Sequence, residues 1–378
     1  MAPKAAKLTV GFLKSLLTQI GSATGGRKDV LLSRLAQDLN RPRLTVEQGS
    51  NKTMRILSID MGIKNLAFCI ADVKCHEPVS KQDNGIEMSV AAWRRLDVAQ
   101  EVSRLQTPPT RTASDAVEDE DSEDPYTPAA LSRTAFNLLQ NTLLPYNPDL
   151  ILIERQRWRS GGGSAVQQWT VRVNTLEGML WAILTALRAE PIKSGKSTAS
   201  RVANRHDYQI FGVDPKRVGN FWVGDEVKAK TPKRSTKLDD ELLLGPDGEL
   251  EEIVGGPTKA AKTLSRGQVE KKARIKLVRS WLDSHESMST APTAQDPDDV
   301  LLSKPLISFS FSEDADLTRQ LLCATSYAKE RKRSTAIGVS RLKKLDDFTD
   351  CFLQAVAWVA WEQNRRMIAE KWSAEEGQ

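Results

Sequence analysis

The chain has 378 residues, with 54 Lys plus Arg against 49 Asp plus Glu for a net charge of +5, and it is 40% hydrophobic. That composition supports a sizeable core and excludes a wholly disordered or collagen-like chain, while the length corresponds to one large or two small domains. No apolar run approaches the roughly 18 residues that span a bilayer, since the stretch from Cys351 to Trp361 is short and carries Gln354, so no membrane partner is expected. Four cysteines without a CxxC pair argue against a disulfide scaffold or zinc ribbon and fit a reducing compartment, and three scattered histidines leave any metal chemistry to carboxylates, which select hard cations such as magnesium.

In chain order, the first 28 residues hold five basic residues and no acid, with Leu8, Phe12, Leu13, Leu16, Leu17 and Ile20 at helical spacing. An acid-free, basic, amphipathic start has the pattern of a mitochondrial presequence. The same residues also read as a helix ending at Ile20-Gly21 and a second one beginning near Lys28. The segment LTVGFLKSLLTQIGSATGGRKDVLLSRL resembles the SAP motif, a two-helix DNA-binding module, in its leading Leu-Thr-Val, central glycines and closing Leu-xx-Arg-Leu. On that resemblance Lys14, Arg27 and Lys28 would touch DNA. The two readings are compatible, and residues 1–45 are expected to form a SAP-like module that can overlap a targeting signal.

Arg55 to Ile59 is a β-branched apolar run, Gly62 permits a tight turn, and Leu66 to Val73 reads as a strand returning antiparallel. Asp60 therefore ends a buried strand, where a carboxylate must bind a cation, accept hydrogen bonds or cap the turn. The segment from Asp149 to Glu154 repeats the design, an apolar strand closed by an acid, here followed by Arg155, Gln156, Arg157, Trp158 and Arg159. Ligand crevices of open α/β sheets lie at such strand ends, so Asp60 and Glu154 can share one site if their strands are neighbours. The glycines of Ser160 to Ser164 lack the phosphate-loop pattern and are weak evidence for one. Near the C-terminus, Asp347 and Asp350 are three apart, on one face of the first turn of an apolar helix, while Asp346 points elsewhere unless that helix starts later. Approximate strands fall at 55–60, 66–73, 88–96, 149–154 and 207–212, and helices at 129–143, 164–188, 268–283, 316–331 and 346–366. Acidic, proline-flanked residues 103–127, the basic, acidic and glycine-rich stretch 224–267, and 284–305 read as insertions in a domain spanning 52–366.

Strand–Asp–hairpin, strand–Glu and a C-terminal helix with DDxxD, in that order, resemble the ribonuclease H-like nucleases. More narrowly, SIDMGIKNLAFCIADV, LIERQRWRSGG and KKLDDFTDCFLQ resemble the RuvC-like mitochondrial Holliday junction resolvases of fungi, over about Met54 to Glu362. The resemblance implies an α/β fold, a ribonuclease H-like mixed sheet flanked by helices. It further implies a magnesium-dependent endonuclease that acts as a homodimer on four-way DNA junctions in the mitochondrial matrix, resolving them by paired symmetrical nicks.

Carboxylates of this kind can hold two magnesium ions about 3.5–4 Å apart for an in-line displacement, with manganese able to substitute. Asp60 would bridge both ions, Glu154 and Asp350 would lie to one side, and Asp347 would be the remaining ligand or water-orienting base; a one-residue shift of the helix start would exchange Asp346 for Asp347. Lys64, Arg155, Gln156, Arg157, Arg159, Lys343 and Lys344 flank these elements and suit DNA phosphates. Gln156, Trp158 and Trp169 could touch bases, although a tryptophan at helical spacing, such as Trp169 or Trp181, is more often core. The helix around Lys271, Lys272, Arg274 and Lys276 has basic residues on more than one face and reads as solvated, with junction arms as the functional alternative. Two rival functions remain: a ribonuclease cutting RNA–DNA hybrids with the same acids, and a non-catalytic SAP-type protein binding mitochondrial DNA. Val166 to Leu187 is the candidate dimer surface.

Overall fold

A computed structural model describes residues 8–41, 43, 53–75, 86–106, 124–156, 164–189, 207–230, 266–283, 307–323 and 345–376. Its centre is a six-stranded mixed sheet. Strands β1 (Met54–Asp60), β2 (Leu66–Cys75) and β3 (Ile86–Leu96) form an antiparallel meander, while β4 (Leu150–Glu154) joins β1 in parallel, β5 (Gln209–Val213) joins β4 in parallel, and β6 (Ile307–Phe311) closes the other edge parallel to β3. The spatial order is β5-β4-β1-β2-β3-β6, and the expected mixed sheet flanked by helices is present.

Both faces of the sheet are covered, which is why β1 and β4 read as nearly continuous apolar runs instead of alternating ones. On one face Leu57, Ile59, Phe68 and Ile153 pack against α3 (Val98–Gln106), α4 (Pro128–Leu138) and α5 (Ser164–Ala189). On the other, Ile56, Cys69 and Leu152 pack against α6 (Pro215–Lys230), α7 (Arg266–Asp283), α8 (Glu313–Cys323) and α9 (Leu345–Glu376). Among the described residues no helix is long and apolar enough to cross a membrane.

The long helix α9 lies across β1, β2 and β3 and is fixed there by side chains bonded to its backbone. Ser58 Oγ donates to the Cys351 carbonyl at 2.7 Å, Trp93 Nε1 to that of Phe348 at 3.0 Å, and Trp222 Nε1 to that of Leu353 at 3.2 Å. Gln354 returns the connection: its buried amide donates to Ser58 Oγ and to the carbonyls of Ile59 and Leu152. One side chain thus ties the helix to two neighbouring strands.

At the N-terminus, α1 (Val10–Gln19) and α2 (Lys28–Leu39) form a helical pair. Thr9 caps α1 by accepting from the Phe12 N–H at 3.2 Å. Gly21, at φ +65°, ends the helix, with Ser22 N–H donating to the Leu17 carbonyl at 2.8 Å and Gly21 N–H to that of Thr18, the pattern of a Schellman cap. A Cβ at Gly21 would also collide with the indole of Trp361, because the pair does not stand apart: Leu13, Leu16, Leu17, Leu31 and Leu35 share a core with Ile368 of α9.

The structure differs from the sequence expectations at several elements. Strand β6 and helices α3 and α6 were not anticipated; β6 is five residues, ISFSF, with polar positions and too little length to stand out. Helix α6 runs to Lys230, into the stretch read as loose from residue 224, and α9 continues to Glu376 instead of stopping near 366. Helix α8 begins earlier, at Glu313, and the second half of the expected 316–331 helix lies outside the described residues.

Candidate active site

Strand register places the first two acids side by side. Ile59 of β1 lies opposite Ile153 of β4, so Asp60 and Glu154 are the next residues on neighbouring parallel strands. The chain leaves β1 through a turn that admits only glycine at Gly62, where a Cβ would approach the Asn65 carbonyl oxygen to 2.8 Å. Burial first, and then the adjacent Glu154 carboxylate with which it shares a hydrogen bond, push the Asp60 carboxyl well above the usual range; Asp350 and Asp347 add to the effect. Three other acids thus act on Asp60 at the C-terminal ends of these two interior strands.

Helix α9 supplies the rest, and each acid of its first turns meets a cation. Asp350 receives Arg274 Nη1 at 2.6 Å, Asp346 receives Lys271 Nζ at 2.6 Å, and Asp347 lies 3.8 Å from Arg95 Nη1. Burial drives the Asp350 carboxyl up to about 6; Arg274 opposes that shift and the Glu154 charge reinforces it. Asp346 behaves differently: burial acts upward, but the Lys271 ammonium and its hydrogen bond hold it below the usual range. With the helix starting at Leu345, Asp347 and Asp350 act on Asp60, while Asp346, one turn before Asp350 on the same face, pairs with Lys271 of α7 as Asp350 pairs with Arg274.

Other candidate residues scatter. Lys64 is exposed, with its ammonium 5.8 Å from the centre of the Trp169 ring. Arg155 is exposed at the end of β4, and the Gln156 N–H donates to Glu177 of α5 at 3.1 Å. Lys14 and Arg27 are exposed and Lys28 half-buried on the helical pair. Arg157, Trp158, Arg159, Ser160, Lys343 and Lys344 lie outside the described residues. Trp169 and Trp181 pack against the core on the α5 side, Trp169 edge-on to Tyr126 with ring centres 5.6 Å apart.

Sequence reasoning missed four contributors. Lys271 and Arg274 were read as a solvated face, and the structure corrects this: both reach into the acidic cluster. Their i, i+3 spacing on one helix face was the available signal. Arg95 could have been found from register, since it pairs with Ala67, which itself pairs with Asp60. Gln354, one turn beyond Asp350, stood out only as a polar residue in an apolar helix.

The donor set suits a hard divalent cation, being carboxylate oxygens, two of which, on Asp60 and Asp350, are pushed above the usual range by burial first and then by the neighbouring acids. Among the described residues no three His, Cys, Asp or Glu side chains close around a single point. Basic side chains from α7 and β3 stand among the acids instead.

The chain is similar to three known proteins. Cruciform cutting endonuclease 1, mitochondrial, of Schizosaccharomyces pombe is 32% identical over 244 residues, 64% of this chain and 78% of that protein. The protein of the same name from Saccharomyces cerevisiae is 23% identical over 370 residues, 95% of this chain and 83% of its own. A crystal structure of the yeast mitochondrial Holliday junction resolvase Ydc2 covers 97% of this chain and 98% of its own at 20% identity, with a TM-score of 0.48. The family described as mitochondrial resolvase Ydc2 / RNA splicing MRS1 matches residues 56–368, which include Asp60 of β1, Glu154 of β4 and the first turns of α9 with Asp346, Asp347 and Asp350. The chain belongs to that family.

Proposed function

We propose that this protein is a mitochondrial endonuclease that resolves four-way DNA junctions, acting in the matrix as a homodimer and requiring magnesium. The observation that carries the reading is the meeting of Asp60 and Glu154, on adjacent strand ends, with Asp347 and Asp350 on the first turns of α9. Family membership alone leaves the chemistry open, because the family's description joins a resolvase with an RNA-splicing protein; the acids favour hydrolysis. The names of the two curated relatives support the substrate and the compartment.

Asp60, Glu154, Asp347 and Asp350 would hold the cations, with Asp60 central because the other three all act on it. A bound divalent cation supplies Lewis acidity at the phosphate and a lowered pKa for water. Lys64, Arg155, Gln156, Lys14, Arg27 and Lys28, together with Arg157, Arg159, Lys343 and Lys344, would bind the phosphate backbone, and each phosphate neutralised steepens the salt dependence of binding. One acidic site makes one cut, so resolution into two intact duplexes calls for two chains about a two-fold axis. Exposed Val171 of α5 and Phe136 of neighbouring α4 support the α5 face as the surface between them.

Incubating the purified chain with a synthetic four-way junction, with and without magnesium, tests the proposal. Symmetrical magnesium-dependent nicks are expected, along with their loss by at least ~100-fold in Asp60→Asn with junction binding retained. Faster cutting of an RNA–DNA hybrid would replace the junction reading with the ribonuclease one. Tight junction binding without cleavage would replace both with a non-catalytic binder.

A further inference from the structure

Arg274 projects from α7 into the centre of the acidic cluster. Its guanidinium holds Asp350 through Nη1 at 2.6 Å, reaches Glu270 on its own helix at 3.9 Å through Nη2, and is close enough to Glu154 and Asp60 to feel their charge. Only 13% of the side chain is exposed. Its Nε–H, meanwhile, is buried and has no acceptor among the described residues. A guanidinium so placed is unusual in two ways: it neutralises an acid that the proposed chemistry needs for a cation, and it leaves one donor unsatisfied in doing so. Lys271, one turn earlier, holds Asp346 similarly at 2.6 Å, but it is Asp350, not Asp346, that acts on Asp60 together with Glu154 and Asp347.

We propose that Arg274 is an internal counter-ion of this site: in the metal-free protein its guanidinium supplies, against Asp350, the positive charge that a divalent cation supplies in the loaded one, and metal entry displaces it. The inference rests on reading the four acids as metal ligands. Several like charges converging on a buried edge repel one another, and an arginine among them keeps the strand ends and α9 together until metal arrives. The cost is competition, since a cation must displace an existing ion pair to reach Asp350. Displacement is eased because the bound arrangement strands the Nε–H, which recovers an acceptor once the side chain reaches water or a phosphate. Arg274 is accordingly a positioning residue, acting through Asp350.

The test uses the full chain and reads metal binding directly. Manganese binding is measured by calorimetry for the wild type, Arg274→Met, which keeps the length of the stem without the charge, and Arg274→Lys, which keeps the charge. Arg274→Met is expected to bind manganese about tenfold more tightly than the wild type, to melt at a lower temperature in EDTA, and to gain more from added metal. Arg274→Lys should stay within about twofold of the wild-type affinity. Should Arg274→Met fail to fold, 15N NMR of the wild type decides: the Arg274 Nε–H resonance, assigned by its absence from Arg274→Lys, is expected to move on titration with magnesium. Unchanged or weaker manganese binding by folded Arg274→Met, or an Nε–H resonance indifferent to magnesium, overturns the inference and leaves the metal site standing. Absence of any manganese binding by the wild type overturns the metal site, and the inference with it.

Discussion

Asp346, Asp347 and Asp350 sit within two turns of one helix, yet their surroundings assign them different work. Asp346 is held by Lys271, whereas Asp347 and Asp350 act on Asp60. Asp347→Asn is therefore expected to lower the junction-cleavage rate at least ~100-fold, and Asp346→Asn less than about tenfold; equal losses in single-turnover assays would contradict the division. Titration gives a second handle. The folded-state value of Asp350, about 6, lies above its ordinary 3.8, so between those values the folded chain binds more protons than the unfolded one. Stability of the metal-free protein then falls as pH rises through that window and levels off above it. Asp60 is shifted in the same direction, and Asp346, which is lowered, contributes with the opposite sign. Melting temperatures in EDTA should decline from about pH 4 to about pH 6, less steeply in Asp350→Asn; an identical slope in that variant would assign the effect to other groups.

At the scale of elements, the site depends on how α9 is seated on β1 and β4. Gln354 bonds to Ser58, Ile59 and Leu152, and Ser58 in turn bonds to Cys351, so the residue next to Asp350 and the residue before Asp60 belong to one buried network. Gln354→Leu keeps the volume but strips three acceptors of their donor. It should cost about 2 kcal/mol in urea denaturation and reduce cleavage, because the helix loses its register against the strand ends. Full activity in a folded Gln354→Leu chain would show that packing alone seats the helix. Gly21 is the corresponding point for the N-terminal pair: its left-handed backbone and its contact with Trp361 leave no room for a side chain. Gly21→Ala is expected to destabilise by about 2 kcal/mol, measured in the same way.

For the whole molecule, the N-terminal pair is bound to the catalytic unit by more than its apolar core. Asn364 donates to the Gln19 carbonyl, Arg365 to that of Leu39, and Arg217 of α6 to that of Gly21. A chain starting at Lys52 would expose Ile368 and Trp372 and leave these donors to water. Such a truncation keeps every proposed metal ligand, so cleavage should persist, with weaker DNA binding and a melting temperature lower by several degrees. A truncated chain that folds without cutting at all would place the head within the active site. At the same scale, mixed dimers of wild-type and Asp60→Asn subunits should nick one strand of a junction without resolving it; a monomer making both cuts in one binding event, with its state shown by sedimentation, would end the dimer proposal.

The sequence by itself determined the strand-end acids, the hairpin between β1 and β2 and the acidic start of α9, because each is written in local pattern: apolar runs of strand length, a glycine that permits a tight turn, and acids three apart on a helix. Even the element boundaries are close for β1, β4 and α5. What only the tertiary structure decided is pairing across distance. Whether Asp346 or Asp347 faces Asp60 depends on the rotation of α9 about its axis, which the Ser58, Trp93 and Trp222 hydrogen bonds to its backbone set from three other elements. Likewise, Lys271 and Arg274 precede the acids they meet by 75 and 76 residues. Their i, i+3 spacing put both on one helix face, but only the fold decided that this face meets carboxylates and not solvent, because the electrostatic field that holds them comes from residues brought together by the tertiary structure.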